Sequence, residues 1–450
     1  MKASLQRREF LLAGMARLSD GASAPLDLST IPNFCTHEHW GSIDSIGRTP
    51  EGFRADVERG AVPHGNTGVL DLLLEPYFLG LLNRAGAKIS VAELKRRSTF
   101  QALRSLRPVL DPQRFTGTYQ CTRRGLLHLY GIDIANPSEA DCVRLDREID
   151  RHYRRFPAWY REVMGKAHFS GVIRPVHPEF YVRQDSAAAA AGEREFLRTL
   201  MRIDPLIDLW RDPARRKRLA EIAGIEPRDA PSWRRFIGNL FDLAARNGAL
   251  GTKQLQAYTR DLNFLPRSDT EVAWPGELTR DQVRAFQDWV VQECSRQAND
   301  RGWPHQVHVG TTNLPYSNPL PLEALAKRYP RMKIVMIHCW PYLNEAGWLA
   351  KYRANMYIDT CWQPVLSPGF FRDAARLWLT YVPANKITCG HDATTIEMAV
   401  GSSLYVREIL AGVLRERSSD MGATSRDLLR VATGWLNNNA IEIYGLGKAA

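Results

Sequence analysis

The stretch that decides the fold is KIVMIHC at residues 333–339, an apolar run that ends in an ionisable histidine. Short runs rich in β-branched residues and separated by helical patterns predict the buried strands of a parallel sheet. The C-terminal half of the chain repeats this form several times. Its other strand-like runs are QVHVG at 306–310, MYIDTC at 356–361 and KITCGHD at 386–392, and its amphipathic segments are 320–328, 345–352 and 368–382.

Four earlier runs follow the same pattern and bring the predicted strands to eight. They are FCTHEH at 34–39, GVIRPV at 171–176, LMRID at 200–204 and LGTKQLQ at 250–256. Eight strand–helix units predict an α/β fold of the (β/α)8 TIM-barrel type. An open doubly wound sheet would usually carry a glycine-rich phosphate turn, and the sequence contains none.

Two gaps between the predicted strands are too long for ordinary connections. The first, about 41–168, predicts a helical cap inserted after the first strand and covering the C-terminal mouth of the barrel. A second helical insertion is predicted at 212–245. We therefore expect one barrel domain over 31–450, preceded by an N-terminal segment, 1–30. The helices predicted in the cap are 69–85, 91–107, 122–129 and 139–165.

The composition excludes several classes of protein. Apolar residues make up 44% and charged residues 24% of the 450, so neither general disorder nor a fibrous repeat fits. No stretch approaches the roughly 20 apolar residues that a membrane helix needs. The net charge is +11, but the basic residues are scattered, and no nucleic-acid-binding signature accompanies them. We expect a basic surface that attracts small anions, with neither nucleic acid nor a membrane as partner.

The N-terminus and the cysteines bear on the cellular compartment. Residues 6–12, QRREFLL, are similar to a twin-arginine export signal, but Arg17 and Asp20 interrupt the apolar run that should follow. A structured helix in a cytoplasmic protein is the preferred interpretation, with export as the alternative. Seven cysteines without a C-x-x-C pair predict a reducing compartment. Four of them lie in or beside predicted strands as small buried apolar residues: Cys35, Cys339, Cys361 and Cys389.

The most specific chemical signal is His37-Glu38-His39 at the end of the first predicted strand. Residues i and i+2 of a strand point to the same face, so the two imidazoles should project together. Three further ionisable residues, His308, His338 and Asp392, close other predicted strands. The carboxyl ends of all barrel strands open on one face, which brings these side chains into one mouth. Imidazoles and a carboxylate together predict a site for Zn²⁺, Fe²⁺ or Mn²⁺.

This arrangement resembles the amidohydrolase superfamily, and within it the amidohydrolase-related group of FluG-like proteins and aminocarboxymuconate-semialdehyde decarboxylases. The shared pattern is H-x-H after the first strand, histidines after the fifth and sixth, and aspartate after the eighth. Three smaller features strengthen the resemblance, which covers about residues 30–445. They are the segment beginning at Asn355, the Pro341-Tyr342 pair and the K-x-x-x-x-Y element at Lys253–Tyr258.

The resemblance implies roles for the five residues at the mouth. The ligands of one divalent metal correspond to His37, His39, His308 and Asp392. Zinc is preferred for this metal, and manganese and iron are the alternatives. Asp392 would also take the proton of the attacking water, and His338 would act as the acid or base that touches the substrate. Because superfamily members with two metals often place a carboxylated lysine on the fourth strand, Lys253 could instead bridge a second metal.

Residues around this set are predicted to bind substrate. Lys253, with Arg260 or Arg174, could bind a substrate carboxylate. Tyr258 ends the same K-x-x-x-x-Y element and is also predicted to bind substrate. His177 either lines the pocket or is an ordinary loop histidine.

Two residues at strand ends complete the predicted site. Trp340 could form a wall of the pocket. Asp359 either orients a ligand histidine or bonds only to backbone.

The function expected from this site is hydrolysis of an amide, lactone or related bond in a small anionic substrate. A non-oxidative decarboxylase on the same site is the main alternative, and isomerisation of a sugar acid is a further one. A binding protein that kept the barrel and lost the chemistry would ordinarily lack a ligand, whereas here the set is complete. Barrels of this size commonly pair, so we expect a homodimer.

Overall fold

The computed structural model describes residues 26–40, 67–86, 90–183 and 196–447, and the structural findings concern these residues. The export-like stretch at 6–12 and the first part of the cap, 41–66, lie outside them. Within the described ranges no helix is long and apolar enough to cross a lipid bilayer.

Eight parallel strands form one sheet in which each strand pairs with the next along the chain. Hydrogen bonds between the segments that follow the first and last strands bring the two edges together. Thr36 N donates to Cys389 O at 3.4 Å, and Asp392 N donates to His37 O at 2.9 Å. The predicted TIM-type barrel is therefore confirmed. The strands are β1 Asn33–Cys35, β2 Phe169–Val176, β3 Leu197–Arg202, β4 Ala249–Gln254, β5 Pro304–Val309, β6 Lys333–His338, β7 Met356–Asp359 and β8 Ile387–Thr388.

Helices occupy the described parts of the two predicted insertions and cover the outside of the barrel. Their ends carry the expected signals: Ser138 and Asp141 form a capping box, and Gly302 ends another helix at a φ of 63°. The helices between β1 and β2 are Val69–Leu73, Pro76–Arg84, Val91–Leu94, Thr99–Leu110, Gly117–Tyr130, Glu139–Tyr153 and Phe156–Lys166. Those between β2 and β5 are Phe180–Arg183, Asp204–Ile207, Pro213–Ala223, Ala230–Arg246 and Arg280–Arg301. The remainder are Leu322–Arg328, Leu343–Tyr352, Gln363–Leu366, Pro368–Tyr381, Ile396–Met421, Ser425–Thr433 and Asn439–Ile443, with a π-helical turn at Gly434–Asn438.

The interior of the barrel changes from apolar to polar toward the carboxyl ends of the strands. A small apolar cluster, which includes Phe34, Ile173, Leu200 and Val335, fills its lower part. On β5 the residues in register with inward-facing β6 residues are polar: Gln306 pairs with Val335, and His308 pairs with Ile337. The barrel therefore has an apolar floor and a polar mouth.

The cap is fixed to the helix that follows the eighth strand. Helix Gly117–Tyr130 crosses helix Ile396–Met421 at two glycines. A Cβ at Gly125 would lie 1.8 Å from Glu397 O, and one at Gly401 would lie 1.8 Å from Cys121 O. Only glycine permits this approach of the two backbones, which holds the cap beside the segment that carries Asp392.

Candidate metal centre

His37, His39 and Asp392 meet at the mouth of the barrel. Nε2 of His39 lies 2.9 Å from Oδ1 of Asp392, and Nε2 of His37 lies 3.7 Å from the same oxygen. Their candidate ligand atoms all lie within 4.8 Å of one another. The sequence predicted this convergence, although β1 is shorter than expected and ends at Cys35.

Because β1 and β8 are short, two neighbouring loops carry these residues. The loops hold each other through backbone hydrogen bonds: Asp392 N donates to His37 O at 2.9 Å, and His39 N donates to Ala393 O at 3.0 Å. Asp392 has a φ of 52°, an uncommon conformation for a residue with a side chain. The reciprocal pairing of two loops, rather than the alternation of a strand, therefore aims the imidazoles at the carboxylate.

His308 and His338 form the other side of the mouth, at the ends of β5 and β6. Nδ1 of His308 lies 3.1 Å from Nε2 of His338, and that Nε2 lies 3.6 Å from Oδ2 of Asp392. Nδ1 of His338 donates to the carbonyl of Cys361 at 3.0 Å, which fixes the ring. Nε2 of His308 lies 3.1 Å from the hydroxyl of Thr311. The five predicted residues thus meet at one mouth, where His37, His39 and His338 face the Asp392 carboxylate and His308 contacts His338.

Burial sets the charges of this group. It lowers the pKa of His37 and His308 well below the usual value and that of His338 to about 4, so these imidazoles are neutral at pH 7. Burial opposes the charge of Asp392, but the neighbouring His39 and His37 outweigh it and hold the pKa of that carboxyl well below its usual value. Neutral imidazoles beside an ionised carboxylate are the form in which these groups bind metal ions.

Sequence reasoning missed two residues that contact the ligand set. Oε1 of Gln306 accepts from Nδ1 of His37 at 2.7 Å, which leaves Nε2 of that ring unprotonated and facing Asp392. Tyr77, from the cap, donates its hydroxyl to Oδ1 of Asp392 at 3.1 Å. The two-residue alternation with His308 could have placed Gln306 on the inner face of β5, whereas no local signal links Tyr77 to the mouth.

Lys253 lies buried on β4 with 1% of its surface exposed, in register with Gln306 of the next strand. Its Nζ makes no hydrogen bond, and burial lowers its pKa to about 8. Tyr258, a few residues later, is 49% exposed, and its ring centre lies 4.8 Å from that of His308. Both predicted substrate-binding residues of this element therefore lie at or beside the polar mouth.

Arg260 and Asp359 make their contacts elsewhere. Arg260 pairs with buried Asp288 at 2.7 Å and lines a surface cavity of about 510 Å³. Asp359 accepts from Thr36 and Thr388 hydroxyls and from the backbone N–H groups of Cys361 and Gly390. It holds the loops that carry the site, through hydroxyl and backbone donors rather than through a histidine.

His177 and Trp340 lie in turns after β2 and β6. The carbonyl of His177 accepts from Phe180 N at 3.0 Å, and its side chain is half-buried. Trp340 stacks on Phe370 with ring centres 4.0 Å apart. A role in substrate binding stays a prediction for both residues.

The donor set fits a divalent cation of the zinc type. Zinc is bound in catalytic sites by three nitrogen or oxygen ligands, with a further position left for water or substrate. His37, His39 and Asp392 supply such a set, and Gln306 orients one of the rings as metal-binding histidines require.

A metal-binding set of histidines and an aspartate at the mouth of a (β/α)8 barrel defines a class of metal-dependent enzymes. Residues 254–446 match the family described as amidohydrolase. The C-terminal part of the chain is therefore similar to the amidohydrolase family. The chain is also 26% identical over 239 residues to protein fluG of Emericella nidulans, a match that covers 48% of this chain and 28% of that protein.

Solved structures share the barrel. A uronate isomerase from Thermotoga maritima matches with a TM-score of 0.72 and 11% identity, covering 92% of this chain and 95% of that one. A glucuronate isomerase from Caulobacter crescentus matches with a TM-score of 0.68 and 16% identity, covering 94% and 93%. At these identities the likeness extends to the fold alone.

Proposed function

We propose that the protein hydrolyses an amide, lactone or related bond of a small anionic substrate with the help of one divalent cation. Zinc is the preferred candidate for this cation. His37, His39 and Asp392 would hold the cation, with His308 beside them. The observation that carries the proposal is the approach of both H-x-H imidazoles to a single carboxylate oxygen, at 2.9 and 3.7 Å. A cation bound there would polarise a carbonyl and lower the pKa of water from 15.7 to roughly 7.

Proton transfer would run from Asp392 to His338. Oδ1 of the carboxylate faces the H-x-H pair, whereas Oδ2 lies 3.6 Å from Nε2 of His338. A proton taken by Oδ2 can therefore pass to an imidazole whose Nδ1 is already held by the Cys361 carbonyl. Positioned acid–base catalysis of this kind contributes roughly 10²- to 10⁴-fold in rate.

Lys253 would bind the negative charge of the substrate. A buried ammonium without a hydrogen bond is unfavourable, and an anionic group of the substrate would supply its missing partner. Tyr258 is half exposed beside His308 and would contact the same substrate from the solvent side.

The test is turnover of a panel of N-acyl amino acids and carboxylated lactones by the metal-loaded protein, with identification of the products. We expect a new carboxylate and a released amine or hydroxyl, both lost in a His37→Ala/His39→Ala double variant. His391→Gln is the matched control, because His391 bonds to Ser402 and Asn33 rather than to the mouth. Released CO2 would instead favour the decarboxylase alternative, and aldose–ketose exchange would favour an isomerase.

A further inference from the structure

A second group of candidate ligands lies beside the first and includes a cysteine. His338, Cys361 and Asp392 are all buried, and their candidate ligand atoms lie within 4.8 Å of one another. Cys361 comes two residues after the end of β7. The hydrolytic mechanism proposed above uses its carbonyl and leaves its thiol without a role.

The hydrogen bonds of His338 leave it one nitrogen that can bind a cation. A carbonyl only accepts hydrogen bonds, so the proton of neutral His338 lies on Nδ1, and Nε2 has a lone pair. Nδ1 of His308 faces that lone pair at 3.1 Å. With its proton on Nδ1, His308 donates to that lone pair; with its proton on Nε2, it donates to the hydroxyl of Thr311, and the lone pair of His338 is then free to bind a cation.

We propose that the Cys361 thiolate holds a second divalent cation together with Nε2 of His338 and Oδ2 of Asp392. The inference rests on the proposed metal-dependent function and makes Asp392 a bridge between two cation positions. Because Oδ2 of Asp392 and Nε2 of His338 would then hold the second cation, it would replace the proton transfer between these two atoms. On binding, the S–H bond breaks, the proton leaves to solvent, and a sulfur electron pair forms the bond to the metal.

The separations are compatible with such a site. With zinc bonds of about 2.3 Å to sulfur and about 2.0–2.1 Å to nitrogen, tetrahedral S and N ligands lie roughly 3.6 Å apart. The candidate ligand atoms of the cluster lie within 4.8 Å of one another, and Nε2 of His338 lies 3.6 Å from Oδ2 of Asp392. A thiolate favours zinc over magnesium or manganese, and this second position needs no carboxylation of Lys253.

The experiment is cobalt(II) loading of the full chain, followed by optical spectroscopy and metal analysis. Thiolate ligation gives a near-ultraviolet sulfur-to-cobalt charge-transfer band. We expect this band and about two equivalents of metal in the wild type, and about one equivalent without the band in Cys361→Ser. The His37→Ala/His39→Ala double variant should keep the band, because it removes only the first position.

Cys339→Ser is the matched control, since Cys339 is an equally buried thiol beside a strand end but bonds to Met336 O. Cadmium NMR of the wild type reports a sulfur ligand directly, so the test holds even if Cys361→Ser fails to fold. Cobalt bound at His37 and His39 without the band would overturn this inference and leave the proposed function standing. A protein that binds no cobalt at all would overturn both.

Discussion

The site has two unlike sides, and their difference indicates how a substrate reaches it. The loop side carries His37 and His39 on an irregular segment after a three-residue strand, and the His39 side chain is 24% exposed. The strand side carries His308 and His338 at the ends of six-residue strands, both buried. Rigid strands fix the buried pair, and on the loop side His37 is equally buried while His39 faces the opening. A substrate should therefore arrive over His39 and meet His338 last.

Asp392→Asn tests whether catalysis requires both sides of the site together. Of all the variants, we expect it to cause the largest loss of activity. Asp392 approaches both sides, through Oδ1 and Oδ2. Loss of its charge removes a ligand and a proton acceptor, so activity should fall by roughly 10³-fold or more, with loss of bound metal. Plasma mass spectrometry and kcat measure the two effects. Full metal content with unchanged kcat would contradict the proposed role.

Lys253→Met tests the strand side alone. Removing the buried ammonium should raise KM for an anionic substrate by roughly 10- to 100-fold, because a charge-assisted hydrogen bond to the substrate is lost. The value of kcat should stay nearly unchanged, because this bond stabilises the bound substrate and the transition state equally. Lys253→Arg is the conservative control. A fall in kcat with KM unchanged would instead indicate a role in the chemical step, and a loss of metal would favour the bridging lysine.

The same lysine predicts a pH dependence. Burial lowers the pKa of Lys253 to about 8, so the side chain is charged below that pH and neutral above it. Only the charged form binds an anion, and kcat/KM should therefore decline as pH rises through about 8. The Lys253→Arg variant should lack this decline, because arginine stays protonated. An identical decline in both proteins would assign the titration to another group.

Gln306→Leu tests how much the orientation of the ligand His37 contributes to metal binding while His37 itself remains in place. The change removes the acceptor that fixes His37 and should weaken metal binding by roughly 10- to 100-fold without abolishing it. Competition with a chromophoric chelator measures this affinity. Gln254→Leu, on the adjacent β4 strand, is the control, since the Gln254 amide is buried and makes no hydrogen bond. An equal loss of metal affinity in both variants would contradict the role of Gln306 in orienting His37.

Gly125→Ala should affect stability and leave metal affinity unchanged. Its Cβ would lie 1.8 Å from Glu397 O, and the forced shift should cost about 1–3 kcal/mol in the free energy of unfolding. Gly165→Ala is the control, because Gly165 has open space around it within a helix. Thermal unfolding compares the two. A stable Gly125→Ala protein would show that the cap is not held by this crossing.

Much of the architecture followed from local patterns. The eight strands were predicted because apolar β-branched runs alternate with helical segments, and the burial of strands such as β6 confirms that interpretation. His391, the neighbour of Asp392, points away from the mouth and bonds to Ser402 and Asn33. Cys35, Cys339, Cys361 and Cys389 are buried, as their positions in or beside predicted strands indicated.

The sequence by itself determined the residue types at the strand ends, and parallel topology then required His37, His39, His308, His338 and Asp392 to share one mouth. Only the tertiary structure decided which atoms face one another. Gln306, Tyr77 and Cys361 reach the site from a strand, the cap and a loop that are far apart in sequence. Their contacts depend on chain closure and side-chain packing over long separations, which no local periodicity encodes.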